Sequence, residues 1–220
     1  MNPGAAQRPE ARVLSSVEAR LDPAHTALLV IDMQNDFCAE GGYVEAVVGK
    51  DAAACRAVAA PIMALAADAR AAGVPVFWIK ANYALDGLPA GMAAKFGERA
   101  SAAACCAPGS WGADFFGVEP RPGEAVIEKR CYSAFRGTDL DTRLRNLAVR
   151  TVVLAGVQTN ICIDSAMRDA SSLGFYVVVA SDCVASHTPE LHDATLKNAQ
   201  FVFGDVLSRR QIAAFWRSGS

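Results

Sequence analysis

Five runs of apolar residues punctuate the chain: Ala27 to Asp32 (ALLVID), Val74 to Lys80 (VPVFWIK), Ala125 to Lys129 (AVIEK), Thr151 to Val157 (TVVLAGV) and Tyr176 to Ser181 (YVVVAS). Each is short, β-branched or otherwise apolar, and bounded by Gly, Pro or charge, the pattern of strands covered on both faces. Between them the spacing becomes helical. Val58 to Ala72 is Ala-rich and stops at Gly73, while Leu140 to Ala148 follows Thr138, with Asp141 three residues on as a capping-box-like start. A further helix is expected from near Asn160, and another after Thr188, which can cap it with Pro189 in the first helical position. Strands alternating with helices predict an α/β fold, with helices on both faces of a mainly parallel central sheet.

Tyr83 to Glu124 has no clear period and collects Gly, Pro and small residues. A stretch of that length predicts a lid or short helices bordering a site or a subunit contact. With no internal repeat or linker, residues 21–220 read as one domain and residues 1–20 as a flexible arm.

Composition narrows the classes. Of 220 residues, 52% are hydrophobic and 20% charged, too apolar for a disordered chain. No run of about 18 uncharged apolar residues appears, so no membrane span is expected. The balance of 21 Lys+Arg against 23 Asp+Glu, a net charge of −2, argues against nucleic acid as a partner. Seven cysteines, with Cys105 and Cys106 adjacent, suit neither a disulfide framework nor a paired zinc cluster. They read as reduced thiols, and with a charged N-terminus they point to a cytoplasmic protein.

In open parallel sheets, ligands bind outside the carboxyl ends of the strands. Asp32 closes the first predicted strand, Lys129 closes the third, and Cys162 follows the fourth near a helix start. Singly, each has an ordinary structural explanation as a turn residue, a solvated lysine or a small buried hydrophobe. Together they make an activated nucleophile: the helix amides and Lys129 favour a Cys162 thiolate, and Asp32 accepts its proton. Backbone N–H groups in the turn from Val157 to Cys162 are candidates for holding an oxyanion.

These blocks resemble the isochorismatase-like cysteine hydrolases over Ala27 to Ser208. The motifs are LLVIDMQNDF with Asp32, GGY at Gly41 to Tyr43, RAAGVPV at Arg70 to Val76, EKRCYSAF with Lys129 and GVQTNICIDSAMRDA with Cys162. The resemblance implies a three-layer α-β-α fold, an Asp32, Lys129, Cys162 triad, and a non-proline cis peptide at Val157 to Gln158. GSW at Gly109 to Trp111 and YSAF at Tyr132 to Phe135 are similar to the ureide amidohydrolases, which act on biuret, triuret, ureidoacrylate or N-carbamoyl amino acids. It also implies a homo-oligomer, dimer or tetramer, and no cofactor. Nicotinamidases carry a metal-binding Asp and His set after the second strand, where this chain has KANYALDG. No metal site is expected from His25, His187 and His192, which read as surface or capping residues.

A small planar ureide calls for amide side chains and an aromatic wall. Asn35, Phe37, Asn82, Tyr83, Gln158 and Gln200 are the candidates, and Arg136 is a candidate for a substrate carboxylate. Other readings compete. A haloacid-dehalogenase-type phosphatase needs a second Asp where Gln34 stands, and neither glycine-rich nucleotide motif follows a strand. A non-catalytic relative, or a redox sensor pairing Cys162 with Cys131 or Cys183, is the non-enzymatic alternative.

Overall fold

The computed structural model describes residues 13–97 and 105–218. Its strands are Thr26–Ile31 (β1), Val76–Ala81 (β2), Ala125–Lys129 (β3), Thr151–Val157 (β4), Tyr176–Ala185 (β5) and Asp205–Leu207 (β6). They form one sheet in the order β3-β2-β1-β4-β5-β6, with every pairing parallel. All five expected strands are present. β6 escapes the sequence pattern because its three residues are only partly buried and begin with Asp. β5 runs past the expected Ser181, with a register shift against β4 that carries Ser181 and Asp182 within the strand.

Helices Val17–Arg20 (α1), Asn35–Cys38 (α2), Tyr43–Ala46 (α3), Ala53–Ala57 (α4) and Ala59–Ala71 (α5) precede β2, and Ala90–Gly97 (α6) lies between β2 and β3. Leu140–Asn146 (α7), Asp164–Ser172 (α8), Pro189–Asn198 (α9) and Arg209–Ser218 (α10) follow. Side chains of successive strand residues point to opposite faces, so each strand feeds two cores. Leu28 and Val30 of β1 pack with Ile62 and Leu65 of α5 and Trp216 of α10. Ala27, Leu29 and Ile31 pack with Leu144 of α7 and Met167 of α8. Burying each such leucine or isoleucine contributes about 1.5–3 kcal/mol, which is why β1 reads as an unbroken apolar run.

Local expectations are partly corrected. Asp139 occupies the N-cap position of α7, while the Thr138 hydroxyl donates to the Ala134 carbonyl at 2.6 Å and accepts from the Leu140 N–H at 3.4 Å. Thr188 precedes α9, but its hydroxyl meets His187 Nδ1 at 2.9 Å rather than capping the helix amides. Of the arm expected over residues 1–20, residues 1–12 lie outside the described residues. The remainder is docked: the Leu14 N–H donates to the Tyr176 hydroxyl at 2.8 Å, and Arg20 pairs with Asp205 at 2.6 Å. Among the described residues no helix is long and apolar enough to cross a membrane.

The sheet is built outward in both directions from its centre, so the order reverses between β1 and β4. That reversal leaves a crevice beyond the strand ends. Gly156 stands beside it with φ +117°, where an added Cβ would overlap the Ile31 backbone. Only glycine lets β4 run this close to the end of β1.

Candidate active site

Just past β1 the chain turns at Asp32, whose φ of +56° lies in the left-handed region that Asp tolerates better than most residues. The Asp32 N–H donates to the Ile79 carbonyl at 2.9 Å, and its own carbonyl accepts from the Gln34 N–H at 2.8 Å. Gln34, fully buried, accepts from the Ala81 N–H at 2.7 Å and donates to the Ala81 and Ala113 carbonyls at 3.0 and 3.1 Å. Its amide therefore fastens the ends of β1 and β2 together. Lys129 closes β3 opposite Ala81, and Tyr83 follows two residues after β2. Cys162 stands on a widened helical turn, Thr159–Ile163, between β4 and α8. The Val157–Gln158 peptide is cis.

These ends bring the three chemically suggestive residues together. Lys129 Nζ lies 2.9 Å from Asp32 Oδ2 and 3.4 Å from Cys162 Sγ. It also donates to the Tyr83 hydroxyl at 2.9 Å and the Cys131 carbonyl at 3.0 Å. All three are buried, with Cys162 only 4% exposed. Burial raises the Asp32 pKa above the usual carboxylate value, against the pull of Lys129. Burial would lower Lys129, but Asp32 and Cys162 outweigh it, and the ammonium is held charged. Burial and then the Asp32 charge push the Cys162 thiol up to about 12, against Lys129. Burial therefore outweighs the help that the lysine gives the thiolate. A proton acceptor is required, and Asp32, with a raised affinity for protons, flanks the same Lys129 ammonium as the thiol.

This arrangement sets a pH profile. Turnover that uses Asp32 as base should lose its acid limb at a pH above the ordinary carboxylate value of about 4, and stay level through about pH 8.5, where a free thiol titrates. A kcat/KM that instead climbs through that alkaline range, as a free thiol ionises, would remove Asp32 from the base role.

The site opens into a cavity of about 280 Å³. Phe37, Tyr83 and Gln158 line it as expected. Gln158 Oε1 accepts from the His187 N–H at 2.9 Å, while its buried Nε2 has no hydrogen-bond partner among the described residues. Asn35, Asn82 and Gln200 are elsewhere. Asn35 donates to the Trp111 carbonyl at 2.8 Å, Asn82 to Glu128 at 2.7 Å, and exposed Gln200 accepts from the Val206 N–H at 3.0 Å. Arg136 is also outside the cavity, exposed and paired with Asp169 at 3.1 Å. Cys131 Sγ turns to the Ser133 and Arg136 carbonyls, Cys183 Sγ to Asp182, and neither residue lines the cavity with Cys162.

Sequence reasoning missed Tyr43, Phe96 and Tyr132 on the aromatic wall, and Lys50, Asn160 and His187 among its polar groups. GGY and YSAF had marked the first and third, but as motif members rather than as wall. Phe96 comes from α6, within the irregular stretch expected to border a site. Among the described residues one cluster has metal-ligand character: Asp36, Cys105 and Cys106, with ligand atoms within 4.8 Å of one another. Its carboxylate already accepts the Cys106 and Tyr43 N–H groups at 2.6 and 3.2 Å.

A family model described as the isochorismatase domain matches residues 26–211. The chain belongs to the isochorismatase family. It is a hydrolase by that kinship. Ureidoacrylate amidohydrolase RutB of Methylobacterium radiotolerans is 36% identical to it over 211 residues, covering 89% of this chain and 80% of that protein. A cysteine hydrolase from Pseudomonas syringae pv. phaseolicola 1448A shares the isochorismatase-like fold, with a TM-score of 0.81 at 24% identity over 91% of this chain and 96% of that one. N-carbamoylsarcosine amidase from Thermoplasma acidophilum is similar at 26% identity and a TM-score of 0.68, over 84% and 96% of the two chains.

Proposed function

We propose that this isochorismatase-family protein is a cysteine amidohydrolase that cleaves a carbon–nitrogen bond of a small ureide through a thioester on Cys162. The observation that carries the reading is the meeting of Asp32, Lys129 and Cys162 in one buried cluster, with Asp32 and Cys162 lining the cavity. Asp32 takes the thiol proton, and the sulfur bonds to the substrate carbonyl carbon. The carbonyl electron pair moves onto oxygen, facing the backbone amides of Gln158 and Cys162. As the C–N bond breaks, its electron pair stays on nitrogen, which receives the proton from Asp32. Water then gives a proton to Asp32 and its oxygen to the acyl carbon, the C–S bond breaks with its electron pair on sulfur, and Asp32 returns the proton to that sulfur. Lys129 remains protonated throughout and offsets the charge that moves between Asp32 and Cys162. No cofactor takes part in this sequence.

The relatives named for ureidoacrylate and N-carbamoylsarcosine support a substrate that joins a ureide to a carboxylate. With Arg136 outside the cavity, Lys50 is the cation that lines it, and it has no acidic partner among the described residues. The unpartnered Nε2 of Gln158 supplies a donor for a substrate oxygen. Lys50→Met should therefore raise KM about tenfold for ureidoacrylate and N-carbamoyl amino acids, and leave biuret and triuret nearly unchanged. Equal effects on both groups, scored by ammonia release, would take Lys50 out of substrate recognition. A cytoplasmic dimer or tetramer completes the proposal, supported by seven unpaired thiols and by the exposed apolar side chains of Phe201 and Val202.

A further inference from the structure

Lys129 has three N–H bonds to give and four acceptors in reach. Asp32 Oδ2 and the Tyr83 hydroxyl lie at 2.9 Å, the Cys131 carbonyl at 3.0 Å and Cys162 Sγ at 3.4 Å. Sulfur is the farthest of the four. By geometry its three hydrogen bonds go to the Tyr83 hydroxyl, the Cys131 carbonyl and, most weakly, the sulfur, while Asp32 is held as an ion pair. Tyr83 provides a second route to the sulfur. Its hydroxyl is 3.5 Å from Cys162 Sγ and 3.3 Å from the Cys131 carbonyl. Having accepted from Lys129, that hydroxyl keeps one proton, with a neutral carbonyl and the sulfur as its two possible acceptors.

We propose that Tyr83 is a fourth catalytic residue: its O–H turns from the Cys131 carbonyl to the Cys162 sulfur as thiolate forms, and relays the polarity of Lys129 to the nucleophile. The inference rests on the reading of Cys162 as nucleophile. No bond to hydrogen breaks at Tyr83, because the thiol proton goes to Asp32. The phenol stays neutral, since burial and the neighbouring Cys162 and Asp32 hold its pKa well above the usual value. Hydrogen bonds to ionised acceptors are stronger than those to neutral ones, so the donor stabilises thiolate more than thiol.

The ring is fixed for this work. It meets Phe96 edge-on at 5.5 Å and 60°, Phe37 at 6.2 Å and 67°, and Tyr132 at 6.3 Å and 85°. The Tyr83 N–H also donates to the Cys105 carbonyl at 3.2 Å. Only rotation about the C–O bond is needed to redirect the proton.

Tyr83→Phe keeps the ring and removes the donor. The pH profile of iodoacetamide alkylation at Cys162, followed on the peptide that carries it, should move to higher pH by about one unit. In the same variant kcat should fall about tenfold, with KM changed by less than about threefold. Placing 3-fluorotyrosine at position 83 keeps the shape and makes the donor more acidic, so the alkylation profile should move to lower pH; this substitution decides the matter where Phe does not fold. If Tyr83 is only cavity wall, neither substitution shifts the alkylation profile and Phe raises KM alone, which would overturn the proposal. Alkylation needs no amide substrate, so the two readings fail separately. Unshifted profiles beside intact Cys162-dependent turnover defeat the relay alone, whereas full turnover by Cys162→Ala defeats the nucleophile and the relay with it.

Discussion

Cys162→Ala is expected to lower amide turnover by roughly 10⁴-fold or more, the scale on which removing a covalent nucleophile acts. The effect should be on chemistry rather than folding. Truncating one small side chain leaves the Lys129 to Asp32 pair at 2.9 Å and the aromatic wall in place, so the thermal midpoint should move by only a few degrees. Cys162→Ser is the sharper control. A hydroxyl occupies nearly the same space, but its proton is held far more tightly than a thiol proton, and Asp32 is too weak a base to remove it. Serine should therefore restore packing without restoring the rate. Substantial activity in either variant, measured as ammonia released from ureidoacrylate or an N-carbamoyl amino acid, would mean that another group attacks the substrate.

Lys129→Met should cost both stability and chemistry. The lysine side chain is fully buried and Asp32 is 1% exposed, so methionine leaves an ionised carboxylate with its cation removed. Breaking a buried pair in this way destabilises by about 3–5 kcal/mol near neutral pH. The loss has a defined pH dependence. Without the lysine, only burial acts strongly on Asp32, and its pKa rises further. A folded-state pKa above the unfolded value favours folding at low pH, and that advantage disappears as pH rises through the folded value. The deficit in urea denaturation should therefore be smaller at pH 5 than at pH 7. Adding Asp32→Asn should recover much of the stability and none of the turnover. In the single variant, alkylation of Cys162 at pH 7 should slow markedly, because the thiolate loses the cation that opposes the effect of burial. Unchanged alkylation would assign Lys129 a purely structural part.

The sequence made the layers and the triad legible for different reasons. A strand buried on both faces must be apolar throughout, so β1, β4 and most of β5 announce themselves. β6 does not, because three half-buried residues carry too little burial to impose a pattern. Asp32, Lys129 and Cys162 were readable because a parallel sheet delivers every strand end to the same edge. The cavity wall was harder. Asn82 sits beside that edge, yet its amide is captured by Glu128, 46 residues away in sequence. Gln200 and Arg136 likewise answer to Val206 and Asp169 rather than to a ligand. Lys50, Phe96 and His187 come from connections whose course is set by tertiary packing, which leaves no period in the sequence. The balance of effects on the thiol was only half legible. Helix position and a nearby lysine are visible along the chain, whereas the burial that outweighs them is not.

The central claim is that Cys162 becomes bonded to the substrate carbonyl carbon. Acid-quenching the wild-type protein during turnover of a saturating N-carbamoyl amino acid or ureidoacrylate, followed by peptide mass analysis, tests it directly. The account predicts an acyl adduct on the peptide bearing Cys162, lost on further incubation before the quench. Product formation with an unmodified Cys162 peptide at every quench time would contradict it.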